Sequence, residues 1–327
     1  MKEKNRQITR RDFIGKLGLA AGGMAALSSM PAAAAVSART EKNASLRAKR
    51  VILLGLDGIC VEGFKKARTP HLDALMKQGA FSLDTRVVMP SVTLPNWTSH
   101  LTGSGPEQHG VFDNSWTLKK AGSKSSSPPV RKNEKGYYPS VFQMLKKGLP
   151  SCKTAFYWNW KPLIYPYDGR YLDESSFLKD DAYVENYGKA LEFMKKNRSV
   201  PSLVFLYSVH TDHAGHKYQW MSDQYIKSIE EADEHIGRLF LDMEREKLFQ
   251  DAHILFLTDH GGTGSGHGGT SAAEMVVPWG ISGPGIKKNF RMEEPNNTVN
   301  TASVVLRLFG LEQPDAWTGK IPQSIFI

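Results

Sequence analysis

Seven residues of metal-ligand type stand at the ends of apolar runs that lie far apart in this chain, and no other feature restricts its folding so much. Asp57 closes VILLGLDG, Thr93 lies in PSVTLPN, Asp212 and His216 in HTDHAGH, Asp259 and His260 in LFLTDHGG, and His267 in GSGHGG. Strand-end residues from such remote segments converge only if their strands lie side by side in one sheet. In open α/β sheets, ligands gather at the carboxyl ends of the strands. Three carboxylates, three imidazoles and a hydroxyl exceed the three protein ligands of a catalytic zinc. The set suits two metals that share a nucleophile.

The intervening sequence supports that arrangement. Val51–Leu56 reads as a buried parallel strand. Thr69-Pro70 opens a helix that Gly79 closes. Ser82–Val88 reads as a strand, and Pro95–Leu101 as a short helix with Thr93 at its N-terminus. Helices follow over Tyr138–Lys147, Ala182–Lys196, Tyr225–Leu248 and Thr301–Phe309, and strands over Lys153–Trp158, Leu203–Ser208 and His253–Thr258. Alternating strands and helices predict a three-layer α/β/α sandwich with a mostly parallel central sheet. Residues 117–135 are basic, Ser/Pro-rich and aperiodic, which marks a loop.

The N-terminus reads as an export signal. Arg10-Arg11 precede a Gly/Ala-rich apolar run, Leu17–Leu27, and small residues at Ala32–Ala35. The expected organisation is a twin-arginine signal over 1–35, a polar linker over 36–49 and one domain over 50–327, delivered to the periplasm or secreted. The apolar run is too short and glycine-rich for a stable membrane anchor. Of the net charge of +9, residues 1–35 carry +4, from six basic and two acidic residues. The remaining +5 is mild, and no nucleic-acid-binding module is visible. Nothing in the sequence specifies an oligomeric state. Two cysteines, Cys60 and Cys152, are not a disulfide framework; they could pair in the periplasm, and a buried or unpaired structural role is favoured for both.

The order D…T…DxxxH…DH…H, with MPSVTLPNWTSHLTGSGPEQHGVFDN, FLTDHGG and GHGGTSAAEMVVPWGISGPGI around it, resembles the alkaline phosphatase superfamily. Within that superfamily the chain is most similar to the nucleotide pyrophosphatase/phosphodiesterase (type I phosphodiesterase) family. The resemblance implies an alkaline phosphatase-like fold and a small-molecule phosphate ester as substrate. It implies two divalent ions, zinc by default with manganese or iron as alternatives. Asp212, His216 and His267 would hold one; Asp57, Thr93, Asp259 and His260 would hold the other. It makes Thr93 the nucleophile, and Asn114 a donor to a phosphate oxygen beside the backbone N–H that follows Thr93. His109, His210 and His213 are read as outer-shell or structural residues.

The same resemblance sorts the reactions. Sulfatases need C/S-x-P-x-R, and here Trp97 stands where the arginine would be. Mutases of this fold need a large inserted domain, for which the chain is too short. Threonine-type monoesterases carry Lys-x-Arg after a later strand; Lys161 matches, but Leu163 replaces the arginine. That favours a diester or pyrophosphate over the alternatives, a phosphomonoester or a phosphonate. A metal-binding protein without catalysis is disfavoured by the intact ligand set. Trp116, Tyr157, Trp158, Trp160 and Tyr165 serve equally as stacking surfaces for a leaving group and as core.

Overall fold

The structure, a computed structural model, describes residues 47–121, 131–180 and 182–327. The expected signal over 1–35 and most of the linker over 36–49 lie outside the described residues, as does 122–130 of the basic loop. The last linker residues already join the fold: Ala48 is buried and its N–H donates to the Leu308 carbonyl.

The chain runs β1 (Arg50–Leu56), α1 (Val61–Lys66), α2 (Pro70–Lys77), β2 (Gly79–Arg86), α3 (Thr93–Thr102), α4 (Pro106–His109), α5 (Val141–Gly148) and β3 (Lys153–Trp158). It continues through β4 (Glu174–Phe177), α6 (Tyr183–Lys196), β5 (Ser202–Ser208), α7 (His210–Tyr218), α8 (Asp223–Arg245) and β6 (Ala252–Leu257). It ends with α9 (Ala272–Met275), β7 (Val276–Ser282), β8 (Phe290–Arg291) and α10 (Asn300–Leu308). The sheet order is β4-β3-β5-β1-β6-β7-β2-β8. The pairs from β4 to β6 are parallel, and β7 runs antiparallel to both of its neighbours.

Strand β1 is central and buried throughout. Val51 and Leu53 point into one apolar layer, with Trp97 and Leu101 of α3 and Val304 of α10. Ile52, Leu54 and Leu56 point into the other, with Phe64 of α1, Leu72 of α2 and Ile229 and Ile236 of α8. A strand covered on both faces has no polar alternation to keep, which is why VILLGL is continuously apolar.

Several elements differ from expectation, β4 and β8 among them as unexpected short strands, and three show the physical reason. β2 begins at Gly79, not Ser82, because the strand starts where the chain leaves α2. A side chain at Gly79 would fall 2.0 Å from the Ile281 carbonyl oxygen of β7, so only glycine fits. α5 begins at Val141, not Tyr138: Tyr138 precedes Pro139, which disfavours helix there, and the Ser140 hydroxyl caps the helix by accepting from the Gln143 N–H. β7 has no counterpart among the expected strands, because Pro278 lies inside it and proline is rare within a strand paired on both sides. The β2–β7 register shifts between Ser82 and Thr85, beside Pro278, and that irregularity accommodates the missing N–H.

Cys60 and Cys152 are buried and free. Trp116, Tyr157 and Trp158 are core residues, and the half-buried Tyr165 and Trp160 pack against the apolar layer that holds Trp116 and Trp158. Among the described residues, no helix is long and apolar enough to cross a membrane.

Candidate metal centre

The carboxyl ends of β5, β1 and β6, adjacent in the sheet, carry the acidic residues. Asp57 follows β1, Asp259 lies two residues past β6, and Asp212 stands in the first turn of α7 just after β5. Gly58 makes the β1 turn possible: its φ is +74°, and a side chain there would meet Asp212 Cα at 2.9 Å. Thr93 is the first residue of α3, which packs over β1 through Trp97. His260 follows Asp259. His267 arrives on the glycine-rich segment between β6 and α9, pinned to the loop before Thr93: its Nδ1 donates to the Ser91 carbonyl at 3.1 Å, and the Ser91 hydroxyl donates to the Gly269 carbonyl at 2.7 Å. Glu274 holds the same segment by accepting from the N–H groups of Gly269 and Ser271.

All seven expected residues meet. His260 Nε2 lies 3.3 Å from Thr93 Oγ1, 3.4 Å from Asp57 Oδ1 and 3.3 Å from Asp259 Oδ2. Asp212 lies 3.5 Å from His216 Nε2 and 3.7 Å from His267 Nε2. The His260 and His267 rings stack with centroids 3.8 Å apart. Two tight groups emerge, Asp57 with Asp259 and His260, and Asp212 with His260 and His267. His260 belongs to both, so the two halves of the cluster abut.

The donor chemistry fits bound cations. His216, His260 and His267 each face a backbone carbonyl with Nδ1, on Ser265, Gly261 and Ser91. A carbonyl only accepts, so Nδ1 carries the proton and Nε2 of the neutral ring presents a lone pair. These lone pairs face carboxylate lone pairs. Asp57 Oδ1, Asp212 Oδ1 and Asp259 Oδ2 are buried without a hydrogen-bond partner. Buried acceptors facing buried acceptors are costly unless a cation lies between them.

The electrostatics point the same way. Burial, followed by the negative charge of Asp212, drives the Asp57 carboxyl well above the usual range. Burial, then Asp57, does the same to Asp259, and burial lifts Asp212 to about 7. Burial, then His267, drives His260 well below the ordinary imidazole value, and burial lowers His267 too. In each case burial disfavours the charged form, most strongly where a like charge is near.

The outer residues divide. His109 and His210 have both ring nitrogens engaged within the protein, as expected of structural residues. His213 is exposed on α7, and its charge acts on Asp57 and Asp212. Asn114 accepts from the Leu94 N–H at 2.8 Å. The sequence reading makes that N–H a separate phosphate donor; here it orients Asn114 and leaves the side-chain NH₂ to donate. Sequence reasoning misses Trp97, Tyr207, Ser91 and Trp220. The indole of Trp220 lies edge-on to His216, with centroids 5.1 Å apart, and donates to the Gly58 carbonyl. Only Trp97 leaves a signal, standing one helical turn after Thr93.

Comparison with known proteins agrees with the geometry. The chain is 27% identical over 224 residues to ectonucleotide pyrophosphatase/phosphodiesterase family member 3 of Rattus norvegicus, a match that covers 64% of this chain and 24% of that protein. An uncharacterised pyrophosphatase/phosphodiesterase of Schizosaccharomyces pombe is 26% identical over 222 residues, covering 64% of this chain and 44% of its own. The chain thus spans less than half the length of these curated relatives. Among solved structures, murine ectonucleotide pyrophosphatase/phosphodiesterase 5, in an inactive threonine-to-alanine form in complex with AMP, superposes with a TM-score of 0.72 at 15% identity, covering 86% of this chain and all of the other. The type I phosphodiesterase / nucleotide pyrophosphatase model matches residues 51–270, and the chain belongs to that family, within the alkaline phosphatase superfamily.

Proposed function

We propose that this protein is a metal-dependent hydrolase of phosphodiester or nucleotide pyrophosphate-type bonds, with Thr93 as nucleophile. The observation that carries the reading is the placement of the Thr93 hydroxyl, at a helix N-terminus and 3.3 Å from His260 Nε2, beside three buried carboxylate oxygens without partners. The names of the relatives and the AMP held by the murine neighbour support the substrate class. The inactivity of that neighbour's threonine-to-alanine form supports a threonine nucleophile.

Asp212, His216 and His267 would hold one divalent ion, and Asp57, Thr93, Asp259 and His260 the other, with zinc the first choice for this mixed donor set and manganese or iron the alternatives. Such ions lower the pKa of a hydroxyl and neutralise phosphoryl oxygens. Thr93 Oγ1 attacks phosphorus in line with the ester bond, and the P–O bond to the leaving alcohol breaks. Water then cleaves the phosphoryl group from Thr93, releasing a phosphomonoester. Asn114, oriented by the Leu94 N–H, donates its amide hydrogen to a non-bridging oxygen. A diester carries one negative charge on those oxygens, and no arginine accompanies the exposed Lys161 to meet a second.

The test compares wild type with Thr93→Ala on a bis(aryl) phosphate and on an aryl phosphate with the same leaving group. Wild-type protein should contain about two dications per chain, and Thr93→Ala should retain most of its metal while turnover falls by orders of magnitude. Near wild-type turnover in Thr93→Ala would make a water the nucleophile. A hundredfold monoester preference, about 2.7 kcal/mol, would move the assignment to a phosphomonoesterase.

A further inference from the structure

Asp57 is held on one side only. Tyr207 Oη donates to its Oδ2 at 2.5 Å, and Trp97 Nε1 donates to the same oxygen at 3.1 Å. The other oxygen, Oδ1, has no hydrogen-bond partner and faces His260 Nε2 at 3.4 Å. The donors come from different elements, Tyr207 from β5 and Trp97 from α3, and their rings meet edge to face with centroids 5.4 Å apart. Trp97 lies one turn beyond Thr93, so both project from the same side of α3. The indole reaches the carboxylate because β1 has Gly55 beneath it: a side chain there would fall 2.7 Å from the Trp97 ring.

We infer that Tyr207 and Trp97 are positioning residues that restrict Asp57 to ligation through a single oxygen, and that Trp97 also fixes Thr93 relative to that carboxylate. This rests on the reading of the cluster as a metal centre. Two donors on Oδ2 stop the carboxylate from rotating to offer both oxygens. Because one of the two donors is carried by the helix of the nucleophile, a shift of α3 would break the bond to Asp57.

The experiment uses the full chain loaded with zinc. Zinc affinity is read by transfer to a chromophoric chelator, melting temperature with and without zinc, and kcat and KM on an aryl phosphodiester. Tyr157→Phe is the control: its hydroxyl also donates to a carboxylate, Glu174 at 2.6 Å, in the same sheet but among core residues away from the cluster. Tyr207→Phe should bind zinc about 10- to 100-fold more weakly, with kcat reduced and KM little changed, while the metal-free protein melts like Tyr157→Phe. Trp97→Phe should lower kcat by a larger factor than zinc affinity, since it also releases Thr93. Zinc affinity within twofold of wild type in both variants would overturn the inference. So would a Tyr207→Phe protein with no cooperative melt without metal, since the hydroxyl would then be holding the fold. If wild type itself takes up no zinc, the metal-centre reading fails, and this inference with it.

Discussion

Two sets of buried histidines lie within this one domain and are used in opposite ways. His100 spends both ring nitrogens inside the protein, Nδ1 on the Thr301 hydroxyl at 2.8 Å and Nε2 on the Thr258 carbonyl at 3.1 Å. His109 and His210 are likewise engaged at both nitrogens. His260 and His267 give Nδ1 to a carbonyl and turn Nε2 toward carboxylates, with His260 Nε2 also 3.3 Å from the Thr93 hydroxyl. The first set is complete without a ligand, and burial holds His100 neutral with a pKa lowered to about 4. In the proposed function the second is completed by a cation. Residue type is the same in both, so what sets the proposed ligands apart from the structural histidines is where the second nitrogen goes.

The sharpest way to break this comparison is to exchange the outcomes. His260→Ala should lose bound metal and lower kcat/KM by about a thousandfold or more, equivalent to about 4 kcal/mol, because His260 belongs to both halves of the cluster. Metal analysis and diester kinetics on the same preparation measure this; full metal content with full activity would place His260 with the structural set. His100→Ala should do the reverse, costing about 2–3 kcal/mol of stability through unmet partners while metal content per folded chain is unchanged. Thermal melts and metal analysis together decide it.

The pH dependence of stability sharpens the contrast further. A buried carboxyl with a raised pKa holds its proton in the folded state after the unfolded chain has released it, so stability falls as pH rises through that interval. Histidines with lowered values act oppositely, but only below about 6.5, where the unfolded imidazole titrates. Above that, the cluster carboxylates act alone, with Asp212 at about 7 and Asp57 and Asp259 also raised. Chelator-treated protein should therefore melt at progressively lower temperature from about pH 6.5 to about pH 8, and added zinc should remove the decline. A metal-free melting temperature that rises over the same interval would contradict the charge balance described for the site. The smallest effect is expected at His216, whose side chain is 43% exposed: His216→Ala should weaken metal binding less than His267→Ala, measured by the same chelator transfer.

Much of this was legible in sequence, for particular reasons. β1, β5 and β6 announce themselves as apolar runs because both of their faces are covered, and the proposed ligands Asp57, Asp212 and Asp259 follow within a few positions. β7 is hidden because Pro278 reads as a breaker, and only the β2–β7 irregularity beside it shows why it is tolerated. The supports of the site were largely invisible. Tyr207 looks like one more apolar strand residue until its hydroxyl is seen at Asp57, and Ser91 looks like loop until both its side chain and its carbonyl are found on the His267 segment. Such contacts depend on neighbours chosen by the topology, not on local pattern.

The central position of β1 bears on how the protein is made. Its first residue, Arg50, pairs with Ser202 on one side and Ala252 on the other. During synthesis β1 emerges early and waits, apolar and unpaired, until both partners have left the ribosome. Pairings of this kind form slowly and leave strand edges open to aggregation meanwhile. Asp57 reaches His260 only where those pairings exist, so the cluster depends on contacts between segments about 200 residues apart. The proposed cation site would therefore be complete only in a chain whose central strand has both of its neighbours, so that bound metal would report on long-range pairing as well as on chemistry.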